Sequence, residues 1–256
     1  MESTMINPII RREVQEKLEK IDGDSAYYNA RQKTIARSLK TLGDIYSFWI
    51  ENPGLRRELL LDKKSPETIK KLARKGIHNI KNAWYFLQNK GAVTESFINI
   101  LDEELIKRTN KLVVPEEYGS GQFRTNDVTL NIPRYTPPSW ERVPEKIHTL
   151  IGLVKGKYVS DPLESAIEAH LGIAAIQPFV EGNKRTARLV QNRILHSCGL
   201  PPVQIHAGEG TYYHGLLRKI LPSYGEESRD ELKPFFDYCA SKVNSALDNI
   251  LGDLKV

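Results

Sequence analysis

Two apolar stretches with helical spacing flank a short polar segment in the second half of the chain, and this pattern constrains the fold most strongly. Residues 162–176 carry apolar side chains suited to burial, which is typical of a core helix. The stretch ends at Gln177-Pro178, because proline disfavours helix for the residue before it. A second apolar helix is predicted over residues 183–197, after a turn that contains glycine. The sequence therefore predicts a helical protein with these two helices as core elements.

Helical spacing also dominates most of the remaining chain. Further helices are predicted at residues 9–21, 27–50, 66 into the seventies, 79–87, 95–107, 143–154, 210–221 and 229–251. The pattern changes between about residues 115 and 138, where Gln122 to Ile132 alternates in places around Asn126-Asp127, as in a short hairpin. The predicted fold class is mainly α, a helical bundle with one small β-hairpin.

The charge balance is mildly basic and does not indicate a nucleic-acid surface. The chain has 37 basic and 32 acidic residues, a net charge of +5 and a pI near 9.0, and the two signs are interspersed. Such a surface favours acidic ligands, including nucleotides. No basic recognition module is appended, and Cys198 and Cys239 lack metal-binding or redox spacing. No apolar run approaches the roughly 18 residues of a membrane span, so we expect a cytoplasmic protein without a membrane partner; a secreted effector is also compatible.

The polar segment between the two core helices is suited to binding an anion. Gly182 precedes a helix N-terminus, where amide donors and the helix dipole both favour negative charge, and phosphate is the natural ligand. Lys184, Arg185 and Arg188 lie in the first turns of that helix, where cations are unfavourable without a counter-charge. Glu181 can pair with these cations or hold a divalent ion that bridges phosphates. The alternative is a solvated helix start with chance basic residues.

Residues 177–188, Gln-Pro-Phe-Val-Glu-Gly-Asn-Lys-Arg-Thr-Ala-Arg, resemble the Fic/DOC family signature, His-Pro-Phe-x-Asp/Glu-Gly-Asn-Gly-Arg-x-x-Arg. Seven positions match in order: Pro178, Phe179, Glu181, Gly182, Asn183, Arg185 and Arg188. Residues 161–170 and 186–192 resemble the flanking helices of the family. Residues 121–138 resemble the flap, a hairpin that docks a target segment. The resemblance covers roughly residues 40–225 and implies the Fic fold.

The resemblance also implies roles, because the family transfers AMP from ATP to a protein hydroxyl. Glu181 is expected to hold magnesium on the α- and β-phosphates. Gly182 and Asn183 are expected to form the anion hole. Arg185 is expected to stabilise the β-phosphate, and Arg188 to grip the γ-phosphate. ATP and magnesium are thus the implied substrate and cofactor.

Partners follow from the same resemblance. A target protein is expected to dock at the flap, which contains Arg124 and Thr125. Tyr212-Tyr213 resembles a pair that flanks the nucleotide base, with ordinary core packing as the equal alternative. A homodimer is an open alternative for the assembly.

Two residues depart from the signature. Gln177 occupies the position of the family's catalytic histidine, and an amide can accept a hydrogen bond but cannot remove a proton. Losing a general base commonly costs on the order of 10²–10⁴-fold in rate, and His170 is the nearest substitute to consider. Lys184 stands where the AMP-transferring branch has glycine and where the Doc phosphotransferases have lysine. Gly182 and Arg188 depart from the Doc pattern, which has alanine at the first of these positions and lacks the second arginine. The lysine alone therefore does not decide the reaction.

An inhibitory helix is predicted near residues 30–52. Many Fic proteins carry the pattern Ser/Thr-x-x-x-Glu-Gly/Asn, in which the glutamate pairs with the second signature arginine. Ser47, Glu51 and Asn52 fit this pattern, and an exposed helix end is the alternative. The expected domains are an N-terminal helical region, 1–110, and a Fic core, 111–256.

The leading hypothesis is a Fic-family adenylyltransferase with activity reduced or absent at Gln177. The main alternative is a nucleotide-binding pseudoenzyme or partner-binding module, and a Doc-like phosphotransferase is a lesser one. A glutamine introduced to silence an active parent is also compatible with the sequence.

Overall fold

The computed structural model describes residues 4–21, 30, 66–89, 96–226 and 229–254. These residues include nine α-helices: α1 Pro8–Ile21, α2 Pro66–Gln88, α3 Phe97–Ile100, α4 Glu103–Val113, α5 Val143–Tyr158, α6 Pro162–Ile176, α7 Asn183–Ser197, α8 Gly210–Ile220 and α9 Lys233–Leu254. Single 3₁₀ turns lie at residues 140–142, 207–209, 221–223 and 230–232. None of the described helices is both long and apolar enough to cross a bilayer. The prediction of a mainly helical fold is confirmed.

Helix α6 is the centre of the core, as its apolar sequence predicts. Every residue from Leu163 to Ile176 is buried, and α5 and α7 pack against it. Asp161 caps the helix by accepting a hydrogen bond from the Glu164 amide at 3.0 Å. Gly172 allows close approach of α5, since a Cβ there would overlap the side chain of Leu150. The helix that leads into the polar segment is therefore held rigidly.

Helix α7 buries polar as well as apolar side chains, and each buried amide or guanidinium needs a partner. The Arg193 Nε donates to the Leu87 carbonyl of α2 at 2.9 Å. Asn192 forms a two-way bridge to Val203: its Nδ2 donates to the carbonyl at 3.2 Å, and its Oδ1 accepts from the amide at 2.9 Å. Helices α2 and α4 pack together and against α7. The start of α7 thus lies between α6 and the α2–α4 pair.

Helix α1 packs on α9 and is tied to the start of α6 by a buried carboxylate. Glu164 accepts hydrogen bonds from Lys157 Nζ at 2.7 Å, Arg11 Nη2 at 2.9 Å and the Met5 amide at 3.3 Å. Burial opposes ionisation of this carboxyl, but the bond from Lys157 and the other donors outweigh it and hold the pKa of Glu164 below its ordinary value. The carboxylate therefore stabilises the folded chain.

The connection between α4 and α5 does not form the predicted β-hairpin. Residues 121–138 contain no strand. Asn131, near the end of the second predicted strand, has a positive φ angle of 53°, and Arg134 just beyond it has one of 60°, so the extended backbone is interrupted there. The Arg124 amide instead donates to the Pro178 carbonyl at 2.9 Å. The alternation in the sequence reflects side chains that face the neighbouring loop, and not a pair of strands.

Candidate functional site

The loop between α6 and α7 begins at Gln177, whose side-chain amide donates one hydrogen bond and accepts another. Gln177 is the C-cap of α6 and has left-handed backbone angles, φ 50° and ψ 58°. Its Nε2 donates to the Ala174 carbonyl at 2.6 Å, and its Oε1 accepts from Asn183 Nδ2 at 3.1 Å. A left-handed residue with a side chain is strained by roughly 1–2 kcal/mol, and these two bonds oppose that strain. The amide of Gln177, 9% exposed, serves to hold the turn.

The side chain of Asn183 bonds the backbone of the loop that precedes it. Its Oδ1 accepts from the Phe179 amide at 2.8 Å, and its Nδ2 donates to the Phe179 carbonyl at 2.8 Å. The ring of Phe179 is buried beneath the loop and lies beside Phe123, with ring centroids 5.8 Å apart. One asparagine thereby fixes the backbone from Gln177 to the first turn of α7.

Gly182 is the N-cap residue of α7 and has a φ of 82°. A Cβ at this position would lie 2.9 Å from Asn110 Nδ2 and 3.2 Å from the methyl groups of Val114. Both the backbone conformation and the contact therefore require glycine. No described side chain caps the helix here, so the amides of its first turn are suited to an anion.

A cleft of about 780 Å³ lies against this helix start. Its walls come from α2, from the end of α4, from residues 128–130 and from the α6–α7 loop: Leu72, Lys75, Gly76, Asn79, Val113, Val114, Pro115, Glu116, Glu117, Val128, Thr129, Leu130, Gln177, Phe179 and Val180 to Arg185. A second cavity of about 250 Å³ shares Leu130, Gln177 and Lys184 with the cleft and adds His214 and Arg218. The cleft therefore contains Gln177, Glu181, Gly182, Asn183, Lys184 and Arg185 of the predicted site.

Glu181 and Arg185 form an ion pair at the cleft wall, with Arg185 Nη2 2.9 Å from Glu181 Oε1. The same oxygen accepts the Gly182 amide hydrogen at 2.8 Å. The carboxylate is about half exposed, at 53%, and so is open to a further ligand. Among the described residues, the buried Nε of Arg185 has no hydrogen-bond partner, which is costly for a charged group. An oxyanion in the cleft would supply that partner.

Asn110 is a site residue that the sequence interpretation missed. It lies on α4, is completely buried, and donates from Nδ2 to the Glu181 carbonyl at 2.8 Å. Its Oδ1 accepts the Gly121 amide hydrogen at 3.1 Å. The sequence signal is an asparagine on the apolar face of an amphipathic helix, four residues after Ile106 and three before Val113, where an unbonded amide would be unfavourable.

Comparison with protein families finds a match that includes this loop. The Fic/DOC family model matches residues 100–195, which include α4, α6 and most of α7. Residues 100–195 are therefore similar in sequence to a Fic/DOC domain. A Fic domain-containing signalling protein from Bacteroides thetaiotaomicron has the same fold, with a TM-score of 0.74, 19% identity and 96% coverage of both chains. The Fic fold predicted from the signature is thus confirmed.

Two Caenorhabditis elegans comparisons extend this result. The protein adenylyltransferase fic-1 is 30% identical over 138 residues, which cover 53% of this chain and 25% of that protein. The structure of Fic-1 residues 134–508 aligns with a TM-score of 0.71, 20% identity, and coverage of 96% of this chain and 72% of that one. The chain spans about a quarter of the length of this curated relative.

Arg188 lies one turn beyond Arg185 on α7 and is not among the described residues that line the cleft. It is 5% exposed, and its guanidinium lies 5.6 Å from the ring centroid of Tyr213. The Tyr213 hydroxyl is 2.8 Å from His170 Nε2, and His170 Nδ1 bonds Gln191. Arg188 therefore rests on a buried aromatic network.

His170 lies in the core and is not among the described residues that line the cleft. It is completely buried, and both its ring nitrogens have hydrogen-bond partners, so the geometry does not support it as a substitute base. Tyr213 is completely buried too, whereas Tyr212 is exposed and lies against Tyr238. This arrangement supports core packing for Tyr213.

Residues 121–138, the segment that resembles a flap, are anchored by Arg124. This buried side chain donates from Nε to the Gln177 carbonyl at 2.8 Å and from Nη1 to the Asn126 carbonyl at 2.9 Å. Its Nη2 also bonds the Pro138 carbonyl, which joins the two ends of the segment. Thr125 is exposed beside it. Of the two predicted flap residues, the threonine is accessible to a partner and the arginine is structural.

The predicted inhibitory residues, Ser47, Glu51 and Asn52, lie outside the described residues.

Proposed function

We propose that this Fic domain binds ATP with magnesium in the 780 Å³ cleft and is related in function to protein adenylyltransferases, with transfer weakened at Gln177. The observation that carries the proposal is the loop itself. Gly182 at its N-cap leaves the start of α7 suited to phosphate, while the Gln177 amide is committed to structural bonds. The similarity to an adenylyltransferase of Caenorhabditis elegans supports the same class of reaction.

Nucleotide binding is supported by the polar groups along the cleft. Phosphates are favoured at the first turn of α7 by the amide donors and the helix dipole. The Nε of Arg185, which has no partner within the described part of the chain, is a donor that a phosphate oxygen would satisfy. Lys184 lines both cavities and adds positive charge between them. We place the β-phosphate at Arg185 and the γ-phosphate toward Arg188.

Magnesium fits this site as part of the nucleotide complex. Mg²⁺ is usually held by one or two carboxylates together with phosphate oxygens and waters. Glu181 provides one half-exposed carboxylate, and the described residues contain no cluster of three side chains able to hold a metal alone. Glu181 would therefore bind the ion with the phosphates, and the ion would neutralise phosphate charge.

Transfer requires removal of a proton from the target hydroxyl, and Gln177 cannot accept it. The Oε1 of Gln177 already accepts a hydrogen bond from Asn183 at 3.1 Å, so even its acceptor capacity is partly used. Without a general base the rate is expected to fall on the order of 10²–10⁴-fold. The same observation favours the second candidate, a pseudoenzyme that binds nucleotide without transferring it.

We propose that the target protein docks along the flap segment, residues 121–138. Val128 and Leu130 line the cleft, and Thr129 between them is exposed. An extended segment without a strand partner can pair with a target backbone. Docking here would bring a target hydroxyl to the loop at Gln177, because Arg124 holds the segment against that residue.

The N-terminal region, 1–110, is proposed to regulate the core, 111–256, through Glu51. A carboxylate paired with Arg188 would occupy the γ-phosphate position by a charge-assisted bond. Glu51→Gly is expected to tighten ATP binding measured by calorimetry, and an unchanged affinity would contradict this role. Helix α4 straddles the boundary between the two regions and contributes Asn110 to the site.

The test uses magnesium and ATP labelled separately at the α- and γ-phosphates. Label transferred from the α-phosphate supports AMP transfer, and label from the γ-phosphate supports the Doc-like alternative for which Lys184 is the motivation. Binding without transfer supports the pseudoenzyme. Gln177→His is expected to raise transfer from the α-phosphate; a variant that binds ATP and stays silent would exclude the glutamine as the limiting residue. Absence of ATP binding by the natural chain would refute the proposal.

A further inference from the structure

Asn110 joins the two parts of the site that the proposed function uses separately, the phosphate-binding loop and the flap segment. Its amide is completely buried, and its two ends bond to different segments. Nδ2 donates to the Glu181 carbonyl at 2.8 Å and lies 3.3 Å from Thr186 Oγ1. Oδ1 accepts the Gly121 amide hydrogen at 3.1 Å. We propose that Asn110 is a positioning residue that orients the Glu181–Gly182 peptide toward the phosphates and couples it to the flap.

The orientation follows from the geometry of the peptide group. In a trans peptide the carbonyl and the amide hydrogen point in opposite directions across one plane. Because Asn110 holds the Glu181 carbonyl, the Gly182 amide hydrogen must point away from α4, where the Glu181 carboxylate accepts it at 2.8 Å. Glycine lowers the barrier to a flipped peptide, since its backbone tolerates both signs of φ. Asn110 is the group that selects one orientation.

The coupling follows from the other end of the same amide. Gly121 has a φ of 73° and begins the flap segment, so the bond to Asn110 Oδ1 fixes where that segment starts. Three residues later, Arg124 bonds the Gln177 and Pro178 carbonyls of the loop. The flap and the loop thus share two anchors. Loss of Asn110 should loosen both segments together, whereas a residue that only fills the core would not link them.

Asn192 provides a matched control within the same chain. It is also a buried asparagine, and it also bonds one amide and one carbonyl of a neighbouring segment, at Val203. Neither of these two bonds reaches the loop or the flap. Asn110→Ala and Asn192→Ala therefore remove equivalent interactions at different places, and comparable losses of stability are expected. Asn110→Asp keeps the acceptor for Gly121 but replaces the donor to Glu181 by a charged oxygen.

The experiment measures amide hydrogen exchange in peptides covering residues 116–126 and 178–188, and the affinity for magnesium-ATP by calorimetry. Asn110→Ala is expected to speed exchange in both peptides and to weaken binding on the order of tenfold, the effect of about one lost buried hydrogen bond. Asn110→Asp is expected to speed exchange mainly in 178–188. Asn192→Ala should change neither peptide.

Unchanged exchange in 178–188 for Asn110→Ala, or equal changes for Asn192→Ala, would overturn the inference. The exchange measurement needs no nucleotide, so it decides the positioning role even if the natural chain fails to bind ATP. That failure would refute the proposed function alone. If the natural chain binds ATP, Asn110→Ala could speed exchange in both peptides and still leave the ATP affinity unchanged. That result would refute the role of Asn110 in orienting the loop toward phosphate.

Discussion

Gly182→Ala is the substitution that most directly tests the geometry of the loop. The residue has a φ of 82°, and alanine in the left-handed region costs roughly 1–2 kcal/mol. The new Cβ would also lie 2.9 Å from Asn110 Nδ2 and 3.2 Å from the side chain of Val114. Moving the Asn110 amide away would break its bonds to Glu181 and Gly121, each worth about 1 kcal/mol. The total expected loss is about 3–4 kcal/mol of unfolding free energy.

Gly199→Ala separates the two contributions. Gly199 follows α7, has a φ of 89°, and has no atom within 4 Å of the position where a Cβ would lie. Alanine here is expected to cost only the left-handed strain of roughly 1–2 kcal/mol. The difference between the two variants, about 2 kcal/mol, is therefore the contribution of the contact with Asn110.

Equilibrium unfolding in urea at neutral pH measures both variants against the natural chain. The slope of unfolding free energy against urea should stay the same for all three, so that midpoints report stability directly. Equal losses for the two glycine variants would refute the tight contact at Gly182. A Gly182→Ala variant that also kept full affinity for magnesium-ATP would refute the requirement for this loop shape in binding.

Three further substitutions test other parts of the structure. Glu164→Gln is expected to lower the free energy of unfolding at pH 7. The difference in unfolding free energy from the natural chain should shrink as the pH falls through the depressed folded pKa of this carboxyl. Urea unfolding at a series of pH values measures this difference, and a difference independent of pH would contradict the ionised pairing. Arg124→Lys should lower the unfolding free energy by about 1–3 kcal/mol, because lysine cannot bridge three carbonyls, whereas the exposed Arg142→Lys serves as the unaffected control in thermal unfolding. Tyr213→Phe should lower the unfolding free energy by about 1 kcal/mol, because the hydroxyl bond is lost, yet preserve ATP affinity. Tyr213→Leu should weaken ATP binding relative to ADP binding, because it removes the ring beside Arg188. Equal changes in ATP affinity for the two variants, measured by calorimetry, would exclude the ring as the support of Arg188.

The core helices were predictable because burial repeats with the helical period. The apolar run that forms α6, the proline after it and the glycine before α7 fix that part of the fold locally. The predicted ends of helices were less accurate where the apolar spacing continued past the end of one helix. The helices predicted in the seventies and at residues 79–87 are one helix, α2, whereas the predicted helix over residues 95–107 is divided, with Asp102 capping α4.

The flap segment was predicted as a hairpin because local alternation is the same for a paired strand and for an extended loop that faces a neighbour. What distinguishes them here is the distant loop at Gln177, which supplies the carbonyls that Arg124 bonds. The positive φ angles of Asn131 and Arg134 likewise have no glycine to signal them. Long-range polar contacts of this kind do not repeat with any period, so a single sequence does not reveal them.

The sequence and the structure describe different aspects of Gln177. In the signature, Gln177 stands at the position of the catalytic histidine. In the structure, its side chain bonds Ala174 and Asn183 and stabilises a turn with left-handed backbone angles. The groups that suit phosphate, the Gly182 amide turn and the Arg185 guanidinium, depend on that turn and not on basicity at position 177. A glutamine can therefore preserve the shape required for binding while removing the acceptor required for proton transfer. Under the proposed function, nucleotide binding and transfer would be separable properties of this loop, and Gln177 would maintain the shape for binding while weakening transfer.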